Sequence, residues 1–363
     1  MADLATIQEL SSTGHHQECL QACQDLLQSE PENPFAWKHA GKSLLALGQF
    51  EKSQQCLAKA HQLDSTDFET IKDIANNFLN LGDKAAATQW YKKVLRINNN
   101  YAPVINNLAN LKRQSGNIQE AIHLFKRAIQ ADPKLIQAYV GAAASYLTLG
   151  DLDQAESFAT QALAINDVTP GINEILGIIF QNKSKTDRAI GCYQNELAVN
   201  PQASNSLLNL GLLLLQQGQI ESALEPLAKA SALAPSEQCS VLLAETYQNL
   251  GRFSEAITEY DKVNLSQSRN KLIPFNFGMC LLNAGKNNAA IEAFKIACQL
   301  DDSFIAAWGN LGNALKSVGR YQEALSATQR VLELKPDNST AHMNLGGIYK
   351  DLGNLEQALS STL

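Results

Sequence analysis

What the chain lacks narrows its class first. No apolar run approaches the length of a bilayer span; the densest stretch, Leu207 to Leu215, is broken by Asn209. The N-terminus reads Met-Ala-Asp-Leu-Ala-Thr-Ile-Gln-Glu-Leu, acidic where a secretory leader needs basic residues ahead of an apolar core. There is no basic excess: the formal charge is -7, with 14 basic against 18 acidic residues in 1–169 and 15 against 18 in 170–363. Nucleic-acid binders normally carry such an excess, so neither nucleic acid nor membrane is an expected partner. Residues 68–135 run against the trend, with ten Lys/Arg and five Asp/Glu, and read as a solvated face rather than a phosphate track. The seven cysteines have no Cys-x-x-Cys spacing, and the six histidines are scattered. Cys19, Cys23, Cys56 and Cys192 fall at packing positions. These observations predict free thiols in a reducing cytoplasm, with no metal and no cofactor.

Catalytic signatures are equally scarce. The chain contains no Gly-x-Gly-x-x-Gly, no phosphate-binding Gly-Lys-Ser/Thr, no Gly-x-Ser-x-Gly and no His-Glu-x-x-His. Acid pairs such as Asp301-Asp302 sit in turns or at helix starts, where carboxylates favour the positive helix end. No catalytic centre is expected in this chain.

What is present is a repeat. Gly14, Gly48, Gly82, Gly116 and Gly150 stand 34 residues apart; Ser184 holds the next place, then Gly218, and after one 33-residue step Gly251, Gly285, Gly319 and Gly353. Five residues after each turn is a small side chain, from Cys19 and Ser53 through Ala87 to Ala324 and Ala358. Seven residues before each turn is another, from Gly41 and Ala75 to Gly312 and Gly346. Two small residues on facing helices let the backbones approach and fix an antiparallel crossing. Trp37, Trp308, Tyr91, Phe125, Tyr193, Tyr260 and Phe294 fill the space around that contact, and prolines such as Pro31, Pro133 and Pro336 end the units. The units run approximately 1–33, 34–67, 68–101, 102–135, 136–169, 170–203, 204–236, 237–270, 271–304, 305–338 and 339–363, one array along the whole chain. Glu196 replaces a small core residue, Ser266 a terminal apolar one, and Pro226 inside a second helix is expected to bend it rather than break it. Ile7, where other units carry Gly or Ala, marks an atypical first unit. The last unit stops at Leu363 within its second helix, which predicts either a longer protein or a partner there, with self-association through that end as one route.

The pattern resembles the tetratricopeptide-repeat family over essentially the whole chain, most clearly in Trp308-Gly-Asn-Leu-Gly-Asn-Ala-Leu and Gly319-Arg-Tyr-Gln-Glu-Ala-Leu. The resemblance implies an all-α fold, a right-handed α-solenoid superhelix of about eleven antiparallel helix pairs stacked into a one-dimensional core. It also implies an inner wall formed by the second, fifth, sixth, ninth, twelfth and thirteenth slots of each first helix. Asparagine fills the sixth slot in Asn107, Asn209, Asn276, Asn310 and Asn344 and the ninth in Asn76, Asn110 and Asn313. An amide offers both a donor and an acceptor, so such a ladder suits the backbone of an extended peptide. The runs Asn106-Asn-Leu-Ala-Asn, Gly309-Asn-Leu-Gly-Asn and His342-Met-Asn-Leu-Gly resemble the repeats of O-linked N-acetylglucosamine transferases, where an asparagine ladder holds substrate polypeptides for a separate catalytic domain. Gly141, Ile175 and Leu242 interrupt the ladder. Lys72, Asn76 and Asn107 match part of the family's carboxylate clamp, but Gln137 and Gly141 stand where it needs cations. Val140, Leu147, Ile178, Leu208, Leu212, Leu215, Phe275, Met279 and Leu282 fall in inward slots and form a candidate apolar groove for a protein segment. The expected function is a protein-interaction scaffold, with the recruiting arm of a glycosyltransferase as the alternative.

Overall fold

The computed structural model describes residues 3–265 and 267–361. The described residues form 22 α-helices, paired in sequence order, and the fold is an all-α tetratricopeptide-type solenoid. Contacts divide the chain into two compact units, Met1–Lys185 and Thr186–Leu363.

The first unit contains α1 (Leu4–Ser12), α2 (His16–Ser29), α3 (Pro34–Ala46), α4 (Phe50–Leu63), α5 (Phe68–Asn80), α6 (Lys84–Ile97), α7 (Ala102–Gln114), α8 (Ile118–Ala131), α9 (Ile136–Leu149), α10 (Leu152–Ile165) and α11 (Ile172–Asn182). The second contains α12 (Thr186–Val199), α13 (Ser204–Gln216), α14 (Ile220–Leu233), α15 (Glu237–Asn249), α16 (Phe253–Tyr260), α17 (Leu272–Asn283), α18 (Asn287–Leu300), α19 (Ile305–Ser317), α20 (Tyr321–Leu334), α21 (Ser339–Asp351) and α22 (Leu355–Ser360). Odd-numbered helices are the first of each pair and even-numbered helices the second.

Each pair is joined by the same turn. The ten glycines of the period have positive φ, as does Ser184 at φ 54°, the position where serine replaces glycine. The residue after each of them donates its N–H to a carbonyl five residues back, as Gln49 does to Leu44 at 2.9 Å, Arg252 to Tyr247 at 2.9 Å and Lys185 to Phe180 at 2.8 Å. That bond closes the first helix and fixes the direction in which the second leaves.

The facing small residues meet as the period requires. Ser53 Oγ donates to the Gly41 carbonyl at 2.8 Å, and Cys19 Sγ reaches the Ile7 carbonyl at 3.5 Å. A Cβ on Gly41 would lie 2.6 Å from Leu57 Cγ, and one on Gly211 would lie 2.5 Å from Leu227 Cγ. Glycine there is therefore set by packing rather than by backbone angle. Tyr91, Phe125, Tyr193, Tyr260 and Phe294 are fully buried, at 0% exposure. Trp37 and Trp308 donate their Nε1–H to carbonyls six residues back, Pro31 at 2.8 Å and Asp302 at 2.9 Å, tying each first helix to the turn that precedes it. All seven cysteines are free, and five of them, Cys19, Cys23, Cys239, Cys280 and Cys298, are buried.

The irregular places have local causes. Helix α14 runs through Pro226 without a break. Ile7 is buried at 0% in the nine-residue α1, where the other units carry a small residue. Glu196 is buried near the end of α12. Helix α16 ends at Tyr260 after eight residues, whereas nine of the other second helices have 14. Turns follow it, and the sequence departure at Ser266 lies outside the described residues.

Candidate functional site

The sixth slot of the first helices is not an open surface. In the first unit it holds His39 and Asp73, only 6% and 5% exposed, then half-buried Asn107 and buried Gly141. Burial, with Lys42 and Lys38 nearby, pulls the His39 imidazole down to about 4, so it is neutral near pH 7. Burial pushes the Asp73 carboxyl up, against the attraction of Lys72 and Lys42.

Asn107 shows how the slot is built. The buried Tyr91 hydroxyl donates to Asn76 Oδ1 at 2.6 Å and accepts from Asn107 Nδ2 at 3.1 Å, while Asn107 Nδ2 also reaches Asn76 Oδ1 at 3.5 Å. Burial pushes the Tyr91 phenol up to about 12, so the hydroxyl stays protonated and has a single hydrogen to give. The network fixes both amide orientations. Neither Asn76 Nδ2 nor Asn107 Oδ1 takes part in it.

The same 31-residue step recurs in the second unit. Asn276 Nδ2 donates to Glu245 Oε1 at 3.4 Å, and Asn344 Nδ2 donates to Asn313 Oδ1 at 2.7 Å. A sixth-slot asparagine therefore pairs with the ninth slot of the preceding repeat wherever that slot offers an oxygen. Three of the five sixth-slot asparagines spend an N–H in this way. Asn110 and Asn209 are half-buried on α7 and α13. Asn310 is half-buried and follows a repeat whose ninth slot is Met279; it lines a cavity of about 240 Å³ with Asn313 and Asn344. Gly309 lines the same cavity, and a Cβ placed there would have nothing within 4 Å.

The interruption at Gly141 has a packing cause. Phe125 stands on α8 where α6 carries Tyr91, and a Cβ on Gly141 would lie 2.3 Å from two of its ring carbons. Phe294 takes the other side instead, since its own repeat carries Gly278, whose Cβ would lie 2.7 Å from Phe294 Cε1. In Phe125's own repeat the matching residue is Ala109, so its ring turns toward the next repeat and closes the sixth slot there.

The partial match to a carboxylate clamp ends with Lys72. Its ammonium is bound to Glu69 and lies 3.6 Å from Asp73, so its charge is already answered. Gln137 is exposed and brings no cation.

The apolar slot residues are all half-buried: Val140, Leu147 and Ile178 in the first unit, and Leu208, Leu212, Leu215, Phe275, Met279 and Leu282 in the second. Phe275 lies 5.9 Å from the Phe294 ring and 4.9 Å from that of Phe304, which pins it while one side stays open. Glu245 and Gln248, in the ninth and twelfth slots of α15, escaped the sequence reading; buried Tyr260, expected there as core packing, donates its hydroxyl to Gln248 from α16. The signal that finds two of these features is the spacing itself: Tyr91, Tyr193 and Tyr260 are each followed 16 residues later by a sixth-slot asparagine.

Among the described residues no group of three or more His, Cys, Asp or Glu stands where it could hold a metal ion, and no helix is long and apolar enough to cross a membrane.

The chain is similar to proteins that assemble with others. It is 27% identical over 284 residues to the BBSome complex member BBS4 of Bos taurus, covering 78% of this chain and 54% of that protein. Identity to the BBSome complex member BBS4 of Mus musculus is 28% over 318 residues, covering 78% and 61%. The Anaphase-promoting complex subunit 3 of Schizosaccharomyces pombe matches at 21% over 294 residues, 78% of this chain and 43% of that one. The chain thus spans between half and two thirds of the BBS4 proteins it matches here. A solved structure described as "Crystal structure of YrrB: a TPR protein with an unusual peptide-binding site" aligns at 18% identity and a TM-score of 0.47, covering 50% of this chain and 95% of that one. Residues 305–338 and 339–361 match tetratricopeptide-repeat models. With residues 67–271, more than half of its length, matching the model described as the Cilia and flagella-associated protein 70 C-terminal domain, the chain belongs to that tetratricopeptide-repeat family.

Proposed function

We propose that this chain is a non-catalytic scaffold that holds partner proteins within a multiprotein assembly, through the half-buried slots of its first helices. The observation that carries the reading is the state of those slots within each unit: half-buried side chains, neither sealed by packing nor fully solvated, recur on successive first helices beside buried ones such as His39 and Asp73. Each unit holds both polar and apolar slots of this kind. The Asn76–Asn107 pair and the cavity at Asn310 present fixed amide donors and acceptors suited to main chain, while the leucine-rich stretch suits apolar side chains. The names of its relatives support assembly over transient capture: BBSome complex member, Anaphase-promoting complex subunit and Superkiller complex protein. Seven free thiols support a reducing compartment such as the cytoplasm, and the family's description makes cilia and flagella the first place to look.

A second reading, a recruiting arm for a glycosyltransferase, draws on the asparagine ladder. A 23% identity over 241 residues to the human Protein O-mannosyl-transferase TMTC3 favours it. One experiment separates the two. The endogenous protein, tagged and purified at physiological salt, is sized by light scattering with its co-purifying subunits quantified. A stable complex with fixed stoichiometry is expected. A particle holding this protein alone, or one whose only fixed companion is a glycosyltransferase activity, would overturn the scaffold reading.

A further inference from the structure

We infer that the first-helix face of α13, α15 and α17 docks a helical segment of a partner protein that is apolar apart from one lysine or arginine, and that Glu245 receives that cation. The inference rests on the scaffold reading and names the chemistry of one partner.

The face is built from slots five, six, nine and twelve of three successive first helices. Helix α15 packs directly on α17 and is joined to α13 through α14. Leu212, Leu215, Val241, Leu242, Phe275 and Met279 are all half-buried, so each is partly in water while its repeat is otherwise packed. Neighbouring half-exposed residues of this size mark a surface that gains by being covered.

Within those slots the only ionisable residue is Glu245, in the middle helix. Its carboxylate accepts one long bond from Asn276 Nδ2, at 3.4 Å. The nearby Tyr260 hydroxyl donates to Gln248 Oε1 at 3.4 Å rather than to Glu245. Among the described residues no cation forms an ion pair with Glu245, and the groups acting on it are burial, which pushes its carboxyl up, and the Asn276 amide, which opposes that. Asp73, the other carboxyl that burial pushes up, has the Lys72 ammonium 3.6 Å away; Glu245 has no such cation among the described residues. A half-buried carboxylate on a largely apolar helix face, with one long amide bond, lacks a cation that a partner can supply.

The same surroundings select the partner's secondary structure. Asn209, Gln248 and Asn276 are the only other polar side chains in these slots, and the last two are already engaged. An extended peptide would leave most of its main-chain groups without partners against this face. A helix satisfies its own and presents only side chains.

The test is selection of a phage-displayed library of 20-residue helical peptides, randomised on one face, against the full chain and its Glu245→Gln variant in parallel. Wild-type chain is expected to enrich peptides with Lys or Arg at one position among Leu, Ile, Phe or Met. Those peptides should bind the Gln variant roughly 10- to 150-fold more weakly, the range of a charge-assisted hydrogen bond. Leu212→Ser should weaken them as well, with helicity unchanged in both variants. Enrichment without a basic residue, or equal binding to wild type and Glu245→Gln, would overturn the role of Glu245. Winners indifferent to Leu212→Ser, or no winners at all, would overturn docking on this face. None of these outcomes touches the scaffold reading, which stands or falls on the composition of the purified native assembly.

Discussion

In repeats 3 and 4 the sixth-slot Asn107 meets Asn76 and the hydroxyl of buried Tyr91; in repeats 8 and 9 the sixth-slot Asn276 meets Glu245 near the hydroxyl of buried Tyr260. The frame is the same: a tyrosine in the second helix, an asparagine 16 residues on, and an acceptor 31 residues before that asparagine. Two slots change the outcome: the ninth, Asn76 against Glu245, and the twelfth, where Gln248 takes the tyrosine hydrogen and repeat 3 has Leu79. An amide in the ninth slot gives a closed, neutral network with one donor and one acceptor left over. A carboxylate gives an unpaired charge, and its apolar neighbours make that charge selective. One repeat geometry thus presents different surface chemistry according to one or two side chains per unit.

The largest expected effect comes from forcing the frame where packing forbids it. Gly141→Asn installs the sixth-slot amide of repeat 4 in repeat 5, but its Cβ would lie 2.3 Å from the Phe125 ring. The chain should lose about 1–3 kcal/mol, at the upper end of that range, in urea unfolding. Hydrogen exchange should show the loss concentrated in α8 and α9. An unchanged midpoint would mean that Phe125 is free to move and that the ladder is interrupted for another reason.

Tyr91→Phe probes the hydroxyl itself. Phenylalanine fits the fold at the matching positions Phe125 and Phe294, so the expected cost is only about 1 kcal/mol, one buried hydrogen bond. The side-chain amide NMR signals of Asn76 and Asn107 should lose their shifted positions and broaden. If they stay in place, the tyrosine does not orient them.

A control away from both walls is Ser184, the one non-glycine residue with positive φ among the described residues. Ser184→Gly should raise stability by about 1 kcal/mol by removing the left-handed strain of an L-residue. A loss instead would assign the serine a contact worth more than that strain.

The smallest effect concerns Glu245 without a partner. Burial raises its carboxyl above the ordinary 4.5, so the folded state carries a penalty whenever the group is ionised. That penalty is complete above the raised folded value and vanishes once pH falls below the unfolded one. Glu245→Gln should therefore stabilise the free chain slightly near pH 7, with the gain disappearing in unfolding curves below pH 4.5. A gain that persists in acid would point to packing rather than charge.

The fold was legible because its determinants are local. Turn glycines, facing small residues and the aromatic between them recur at one period, and even the exception at Ser184 adopts the positive φ of the position it occupies. The slots were legible as a list but not as a state. Counting along a helix gives which residues share a face; it does not say that His39 and Asp73 sink below the surface while Asn107 stays half out. That depends on the bulk and rotamer of a second-helix side chain 16 residues earlier. Phe125 shows the point, since its ring takes the sixth slot only because Ala109 blocks the other side. Nor could counting find the early end of α16 at Tyr260, because neither Asp261 nor Lys262 is a helix breaker.

The central claim is that partners are held by the first-helix face, and site-specific photo-crosslinking in expressing cells tests it most directly. A photoreactive residue is placed at Leu212 or Asn110 on first helices, and in parallel at exposed Gln161 or Ser222 on second helices. The account predicts that the first two crosslink the same subunits that co-purify with the native assembly, while the second two yield little. Crosslinks concentrated at Gln161 and Ser222 would contradict it and move the binding surface to the opposite side of the repeats.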